Sequence, residues 1–366
     1  MNFSKVKNLM DHAVQEHHVP GSDIIVTYRN ETVYRYQNGT KDDEQKIALK
    51  GDELYYLYSA TKVITCTAAL QLLEQGKLGL DDEVAKYIPE YREMQVKTAD
   101  GIRLCETPIR LKHLFTMTSG LDYNLCSDSI MKQKAVNPNA STQEMVKAFA
   151  GEPLNFEPGT HFCYGLSHDV IAAVIEIVSG MSFGEYLKKN IFDVCGMENT
   201  GFKIDDTIRS RMCSQFEYDP LTDTAKLLEK QNPFVLTPAY ESGGAGLISN
   251  VEDYGKFVTE LANGTRLLKR ETIDLMRQDH LSRQAKMEFV KPGYSYGLGV
   301  RTDVDGNGTA KGEFGWDGAA GAYVLIDPDQ HIGIFYATHI KNHGVYLYED
   351  LHIGIRNAVY EAVKGL

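Results

Sequence analysis

The segment that follows Ser59 predicts a helix that is apolar on every face. Its apolar residues recur three or four positions apart and are Val63, Cys66, Ala69, Leu70 and Leu73. Gly76 stands where such a helix would end. The other faces carry very little charge, which is typical of a helix that is packed on all sides. The rest of the chain must therefore fold around this segment.

Lys62 is the exception in this apolar helix, because it places a primary amine one turn from the helix start. A buried primary amine is costly unless its charge is paired. Ser59 lies three residues earlier, on the same face and at the positive end of the helix dipole. A hydroxyl beside an amine that can take its proton is the arrangement of a nucleophilic serine. The alternative is that Ser59 only caps the helix, since S-x-x-K alone is a weak motif.

Composition limits the partners of the chain. The net charge of −12 over 366 residues argues against nucleic acid or an anionic membrane as the main partner. No apolar run reaches the length of a membrane span, and the first residues form an amphipathic helical stripe that differs from a signal sequence. We therefore expect a cytoplasmic protein of two subdomains or one elaborated domain.

The cysteines and histidines indicate neither a disulfide framework nor a metal site. The six cysteines are scattered without a C-x-x-C pair, which favours free thiols in a reducing compartment. No H-E-x-x-H or comparable cluster is present in the sequence. The sequence thus predicts a protein without a metal or a cofactor.

The order of elements along the chain predicts one sheet built from both ends. Residues 23–29 and 32–37 have the pattern of two strands around a turn at Asn30 and Glu31. Helical patterns dominate the middle of the chain, and short β-type segments with glycine-rich turns return from about residue 230. This order suggests a sheet with a helical region inserted between its two halves.

Residues 180–184 match G-x-S-x-G, the nucleophile elbow of α/β-hydrolases. That elbow needs a strand before the serine and a helix after it. Here a helical pattern precedes Gly180, and Ser182 with Glu185 forms a capping box. We therefore interpret Ser182 as a helix cap, which leaves Ser59 as the candidate nucleophile.

Several segments together resemble the serine β-lactamase and penicillin-binding-protein superfamily, in its class C and family VIII esterase branch. They occur in the family's order and cover most of the chain, from about residue 20 to 340. The segments are residues 59–62 (Ser-Ala-Thr-Lys), 118–121 (Thr-Ser-Gly-Leu), 158–159 (Pro-Gly) with Tyr164, 243–247 (Gly-Gly-Ala-Gly-Leu), 314–321 (Phe-Gly-Trp-Asp-Gly-Ala-Ala-Gly) and 327–328 (Asp-Pro).

The resemblance implies catalytic roles for three side chains. Ser59 would be the nucleophile that is acylated, and Lys62 would be its proton partner. Tyr164 matches the tyrosine of the family's second motif, which serves with the lysine as general base and then as general acid. Without the resemblance, Tyr164 would be taken for a core residue, because the chain has 21 tyrosines.

The same resemblance implies an oxyanion hole and a substrate surface. Trp316, Asp317 and Gly318 stand where the family has Lys-Thr-Gly, so we expect them to contact the substrate. The next residue, Ala319, would supply one oxyanion-hole N–H, and Ser59 would supply the other.

Two departures from the family's motifs bear on the substrate. Trp316 replaces a lysine, which removes a cation that would hold the carboxylate of a β-lactam or a peptide. Leu166 replaces the asparagine or serine of the second motif, so the predicted substrate pocket is more apolar. Both changes favour a neutral ester as the substrate.

The resemblance implies an α+β fold of the β-lactamase/transpeptidase type, with a mainly antiparallel sheet flanked by helices. Residues 1–60 and 215–366 would form the sheet subdomain, and residues 61–214 a mostly helical one. The active site would lie in the cleft between them.

The activity implied is hydrolysis of a small carboxylic ester or related acyl substrate through an acyl-enzyme at Ser59. A β-lactamase, or a peptidase or amidase for D-amino acids, is the first alternative. A non-catalytic ligand-binding member of the fold is the second. The intact set of Ser59, Lys62 and Tyr164 counts against it, because a binding protein has no need of a buried amine.

Overall fold

The computed structural model describes residues 1–42, 46–228, 232–306 and 311–365. Strands from both ends of this described chain form one seven-stranded antiparallel sheet. In spatial order they are β2 (Glu31–Gly39), β1 (Gly21–Tyr28), β13 (Ile332–Thr338), β12 (Tyr323–Asp327), β11 (Phe314–Gly315), β10 (Arg301–Asp303) and β9 (Tyr294–Tyr296). The prediction of one sheet built from both ends is confirmed.

The first hairpin of the sheet also matches the prediction, apart from its turn. The turn lies one residue earlier than predicted, at Arg29 and Asn30. Their φ angles are 50° and 68°, and a tight hairpin turn of the favoured type needs positive φ at both central residues.

Smaller sheets and the helices surround this central sheet. The remaining strands are β3 (Tyr55–Tyr56), β4 (Gln95–Thr98), β5 (Gly101–Leu104), β6 (Gln215–Asp219), β7 (Thr224–Leu228), β8 (Ile248–Ser249) and β14 (Ile340–Lys341). The helices are α1 (Ser4–Glu16), α2 (Thr61–Glu74), α3 (Leu111–Phe115), α4 (Asp128–Val136), α5 (Thr142–Phe149), α6 (Ser167–Ser179), α7 (Phe183–Leu187), α8 (Asp193–Cys195), α9 (Asp206–Arg211), α10 (Val251–Asn263), α11 (Arg270–Met276), α12 (Arg283–Glu288) and α13 (His352–Lys364).

The sheet separates two hydrophobic cores, because successive side chains of a strand point to opposite faces. On β1, Ile24 and Val26 belong to a core that includes residues of α1 and α13. Ile25 between them belongs to the larger core, which includes residues of α2, α6 and α10. Helices therefore cover both faces of the sheet. The division of the chain into two subdomains stays a prediction.

Helix α2 lies at the centre of the larger core, as its apolar sequence predicts. Every residue from Thr61 to Leu72 is buried, Lys62 included. The helix ends before Gly76, which adopts a φ of 67°. The predicted burial on all faces is confirmed. The buried amine of Lys62 therefore needs hydrogen-bond partners in the site.

Ser182 caps helix α7, as the capping-box pattern predicts. Its hydroxyl accepts the N–H of Glu185 at 3.2 Å, and the Glu185 carboxylate accepts the N–H of Ser182 at 3.0 Å. Helix α6 precedes it and ends at Gly180, so the strand that a nucleophile elbow requires is not there.

We expect Ser182→Ala to lower the free energy of unfolding by about 1 kcal/mol, because one cap hydrogen bond is lost. Ester turnover per folded molecule should equal that of the wild type. Urea unfolding and kcat/KM measured on the same preparation check both parts. A loss of turnover at unchanged stability would show that Ser182 takes part in the chemistry.

Two general features of the described residues complete the fold. No single helix among them is both long and apolar enough to cross a membrane; the α6 and α7–α8 segments pass that test only as a pair bent by 76°. No disulfide joins the described cysteines.

Candidate active site

Ser59 lies where a short strand turns into the central helix. After β3 the chain makes one 3₁₀ turn, Tyr58–Ala60, and enters α2 at Thr61. Tyr58 has a φ of 46°, a strained conformation for a residue with a side chain. From Glu53 to Leu72, all of which the structure describes, only Ser59 is not fully buried. The fold thus exposes one hydroxyl at the end of a buried helix.

Lys62 meets three acceptors, one for each proton of its ammonium group. Its Nζ donates to Ser59 Oγ at 3.1 Å, to the Tyr123 hydroxyl at 2.8 Å and to the Gly244 carbonyl at 2.7 Å. Hydrogen bonds to a charged group are stronger than neutral ones, so they offset part of the burial cost. The predicted pairing of Ser59 with Lys62 is present in the structure.

The glycine-rich segment from Gly243 supplies one of these acceptors because it approaches α2 closely. Thr65 donates its hydroxyl proton to the Gly243 carbonyl at 2.7 Å. A Cβ on Gly243 would lie 2.5 Å from the carbonyl oxygen of His168, so only glycine fits there. The segment is thereby held against the helix, with its next carbonyl on Lys62.

A buried carboxylate stands behind Gly244. Asp169 Oδ1 accepts the hydroxyl of Ser242 at 2.6 Å and the N–H of Gly244 at 3.3 Å. Burial raises the pKa of Asp169, while hydrogen bonds and the Lys62 charge oppose that shift. Gly244 therefore connects the two side chains through its own N–H and C=O. Asp169 fixes the carbonyl that Lys62 needs.

Tyr123 is a site residue that the sequence analysis missed. It was assigned no role from the sequence, yet its hydroxyl accepts from Lys62 Nζ. Burial raises the pKa of Tyr123 well above its ordinary value, so the phenol stays protonated at neutral pH. The available signal was its position, two residues after the motif segment 118–121.

Tyr164 lies beside Lys62 without a direct hydrogen bond to it. Lys62 Nζ is 4.7 Å from the centre of the Tyr164 ring, a cation–π distance. The Tyr164 hydroxyl accepts the indole N–H of Trp316 at 2.9 Å and donates to no acceptor among the described residues. Its own proton is therefore available to a substrate, and its predicted acid–base role stays a prediction.

The candidate oxyanion segment packs directly against the turn before Ser59. A Cβ on Gly318 would lie 2.3 Å from the carbonyl oxygen of Leu57. The N–H of the next residue, Ala319, donates to no acceptor among the described residues. An oxyanion hole needs a free N–H, so Ala319 remains the candidate, and its role stays a prediction.

The Asp317 carboxylate, which is predicted to contact the substrate, forms ion pairs with two cationic side chains. Arg301 Nη1 lies 3.0 Å from its Oδ1, and Lys291 Nζ lies 3.0 Å from its Oδ2. These charges hold the pKa of Asp317 well below its usual range against the effect of burial. This ion pair anchors the strand end that carries Trp316 and Gly318.

Leu166 is buried in the larger core. It also lines a small cavity of about 50 Å³ with Leu121 and Phe149. Its predicted contact with substrate stays a prediction. Among the described residues, no three His, Cys, Asp or Glu side chains come together as metal ligands would.

The fold and the site together define a class of enzyme. A serine hydroxyl that is hydrogen-bonded to a lysine, with a free backbone N–H in a neighbouring segment, is suited to acyl transfer through the serine. The chain is a serine hydrolase, and two of its relatives are named as esterases. It belongs to the beta-lactamase family, whose sequence model matches residues 6–353.

Three comparisons illustrate this membership. Esterase EstB of Burkholderia gladioli is 27% identical over 380 residues, covering 98% of this chain and 95% of the relative. Lovastatin esterase of Penicillium rubens is 34% identical over 245 residues, covering 64% and 61%. The solved structure of EstCE1, a hydrolase with promiscuous acyltransferase activity, has a TM-score of 0.83 at 26% identity and covers 98% of each chain. The predicted α+β fold is confirmed.

Proposed function

We propose that this enzyme hydrolyses small neutral carboxylic esters through an acyl-enzyme at Ser59. After Lys62 has given one ammonium proton to water, its neutral amine takes the proton of Ser59 as the serine oxygen attacks the ester carbonyl, and Tyr164 protonates the departing alcohol. The N–H groups of Ala319 and Ser59 stabilise the oxyanion. Water then releases the acid by the reverse sequence of proton transfers.

The preference for a neutral ester rests on one observation, the environment of Trp316. Its indole takes the place of a lysine and donates its only N–H to Tyr164. The nearby cations Lys291 and Arg301 are both committed to Asp317. A substrate carboxylate entering here would lose its hydration without gaining a charged partner, which is unfavourable. The named esterases among the relatives support the same proposal.

The test compares a p-nitrophenyl ester with a chromogenic cephalosporin. We expect the wild type to have the higher kcat/KM on the ester. Trp316→Lys should shift the ratio of the two values toward the cephalosporin by roughly 10- to 100-fold, because a hydrogen bond to a charged group contributes about 1.5–3 kcal/mol. Trp316→Leu is the matched control, since it removes the indole and adds no charge.

The two variants separate loss of the indole from gain of the charge. A shift in both would mean that the indole excludes the cephalosporin by its size. A wild type that prefers the cephalosporin would contradict the esterase proposal and favour a β-lactamase.

A further inference from the structure

A cluster of aromatic side chains extends away from Trp316 along one side of the site. We call it the aromatic wall, and its members are Phe162, Phe289, Tyr296 and Trp316. The ring centres of neighbouring members are 5.1 to 6.4 Å apart. Phe289 touches the three others, at 5.3 Å from Phe162, 5.6 Å from Tyr296 and 6.4 Å from Trp316. Such spacings are those of packed aromatic pairs.

The aromatic wall is continuous with the reacting groups. Trp316 stacks on Tyr164 with ring centres 5.5 Å apart and donates to its hydroxyl. Tyr164 in turn lies beside Lys62. Tyr296 is fully buried, whereas Phe162, Phe289 and Trp316 are each partly exposed. The wall therefore offers apolar surface next to Tyr164.

Phe289 is held in this place by the residue before it. The Glu288 carboxylate accepts the N–H of Phe162 at 2.7 Å, and its other oxygen lies 2.6 Å from Nδ1 of His161. These contacts join the end of α12 to the segment that leads to Tyr164. The position of Phe289 is thus fixed relative to the site.

The surroundings of Phe289 include an apolar rim. Met287 and Val290 are 73% and 89% exposed. Lys291, the next charged residue along the chain, is bound to Asp317. Exposed apolar side chains next to a reactive cleft are typical of a surface that receives an apolar ligand.

We propose that the aromatic wall binds the alcohol group of the ester and that Phe289 sets a preference for bulky apolar alcohols. This inference rests on the proposed function. In acylation the Ser59 Oγ–acyl bond forms and the ester C–O bond breaks. The alcohol leaves with a proton from Tyr164, and the proton of Ser59 passes to Lys62. The alcohol oxygen must therefore lie at the Tyr164 hydroxyl, with its substituent directed toward Trp316 and Phe289.

The experiment uses acetate esters that differ only in the alcohol, such as ethyl, benzyl and naphthylmethyl acetate. All of them form the same acetyl-enzyme, so their kcat/KM values differ only through acylation. We expect Phe289→Ala to lower kcat/KM for the benzyl and naphthylmethyl esters by roughly 5- to 10-fold, the size of a lost aromatic contact. Ethyl acetate should change less than 2-fold, roughly, because it does not reach the wall.

Two further variants serve as controls. Leu221→Ala changes an exposed apolar residue in the turn between β6 and β7, outside the wall and its rim, and should leave every ester unaffected. Phe289→Leu keeps an apolar side chain and should give an intermediate loss for the bulky alcohols. A series of p-nitrophenyl esters with growing acyl chains varies the acyl group at a constant alcohol. In this series Phe289→Ala should lower kcat/KM by the same factor at every acyl length.

The outcomes distinguish this inference from the proposed function. Losses that grow with the acyl chain and not with the alcohol would place the acyl group on the wall and overturn the inference. An equal loss for all esters would show that Phe289 is only structural. A wild type that hydrolyses no ester would contradict the proposed function itself.

Discussion

Ser59→Ala is expected to lower ester turnover by roughly 10⁴- to 10⁶-fold, the loss seen when the nucleophile of a serine enzyme is removed. The hydroxyl of Ser59 is the group that Lys62 Nζ contacts at the exposed end of α2. Alanine leaves no atom that can form the acyl-enzyme. The measurements are kcat for a p-nitrophenyl ester and intact mass after treatment with a fluorophosphonate.

The mass measurement gives this prediction its clearest control. The wild type should gain one adduct on the peptide that contains Ser59, and Ser59→Ala should gain none. Ser182→Ala removes the other candidate serine and should still be labelled. Loss of label from Ser182→Ala alone would assign the nucleophile to Ser182. A thermal unfolding scan of each variant tests whether misfolding is the cause. We expect Ser59→Ala to unfold at the wild-type temperature, because Ser59 is partly exposed.

The sequence predicted the elements that depend on local pattern. Helix α2 follows from the spacing of its apolar residues, and the cap at Ser182 follows from a hydroxyl three residues before a glutamate. Lys62 was recognised because an amine in an apolar helix is costly without partners. In each case the physical cause acts over a few residues, so it is visible in a single sequence.

The partners of these side chains could not be predicted in the same way. Tyr123 and Gly244, which bind Lys62, lie 61 and 182 residues from it. The prediction for Asp317 came from its place in a motif. Its ion pairs with Arg301 and Lys291 depend on how neighbouring segments pack. Contacts between distant segments are set by the fold, and no local spacing encodes them.

Phe289 shows the same limit for specificity. It directly follows the short helix α12, which resembles no motif, and only packing brings it against Phe162 and Trp316. Apolar residues of this kind are numerous in any sequence, so composition does not single them out. The structure identifies Phe289 through its contact with Trp316, which stacks on Tyr164.

Tyr164→Phe is expected to slow hydrolysis of an alkyl ester by roughly 10²- to 10⁴-fold, the usual contribution of a general acid. An alkoxide is a poor leaving group that needs a proton, and the Tyr164 hydroxyl has one to give because it only accepts from Trp316. A p-nitrophenyl ester should lose far less, since p-nitrophenolate leaves as an anion. The measurement is kcat/KM for ethyl acetate and p-nitrophenyl acetate.

Tyr123→Phe is the matched control, because it removes the other tyrosine near Lys62 and keeps its ring. It takes away one acceptor of the Lys62 ammonium, so both esters should slow by a similar factor, roughly 10- to 100-fold. If Tyr123→Phe instead loses the alkyl ester selectively, Tyr123 is the acid that protonates the alcohol. The alcohol group would then lie toward Phe234, whose ring centre is 5.3 Å from that of Tyr123, and the aromatic wall would face the acyl group.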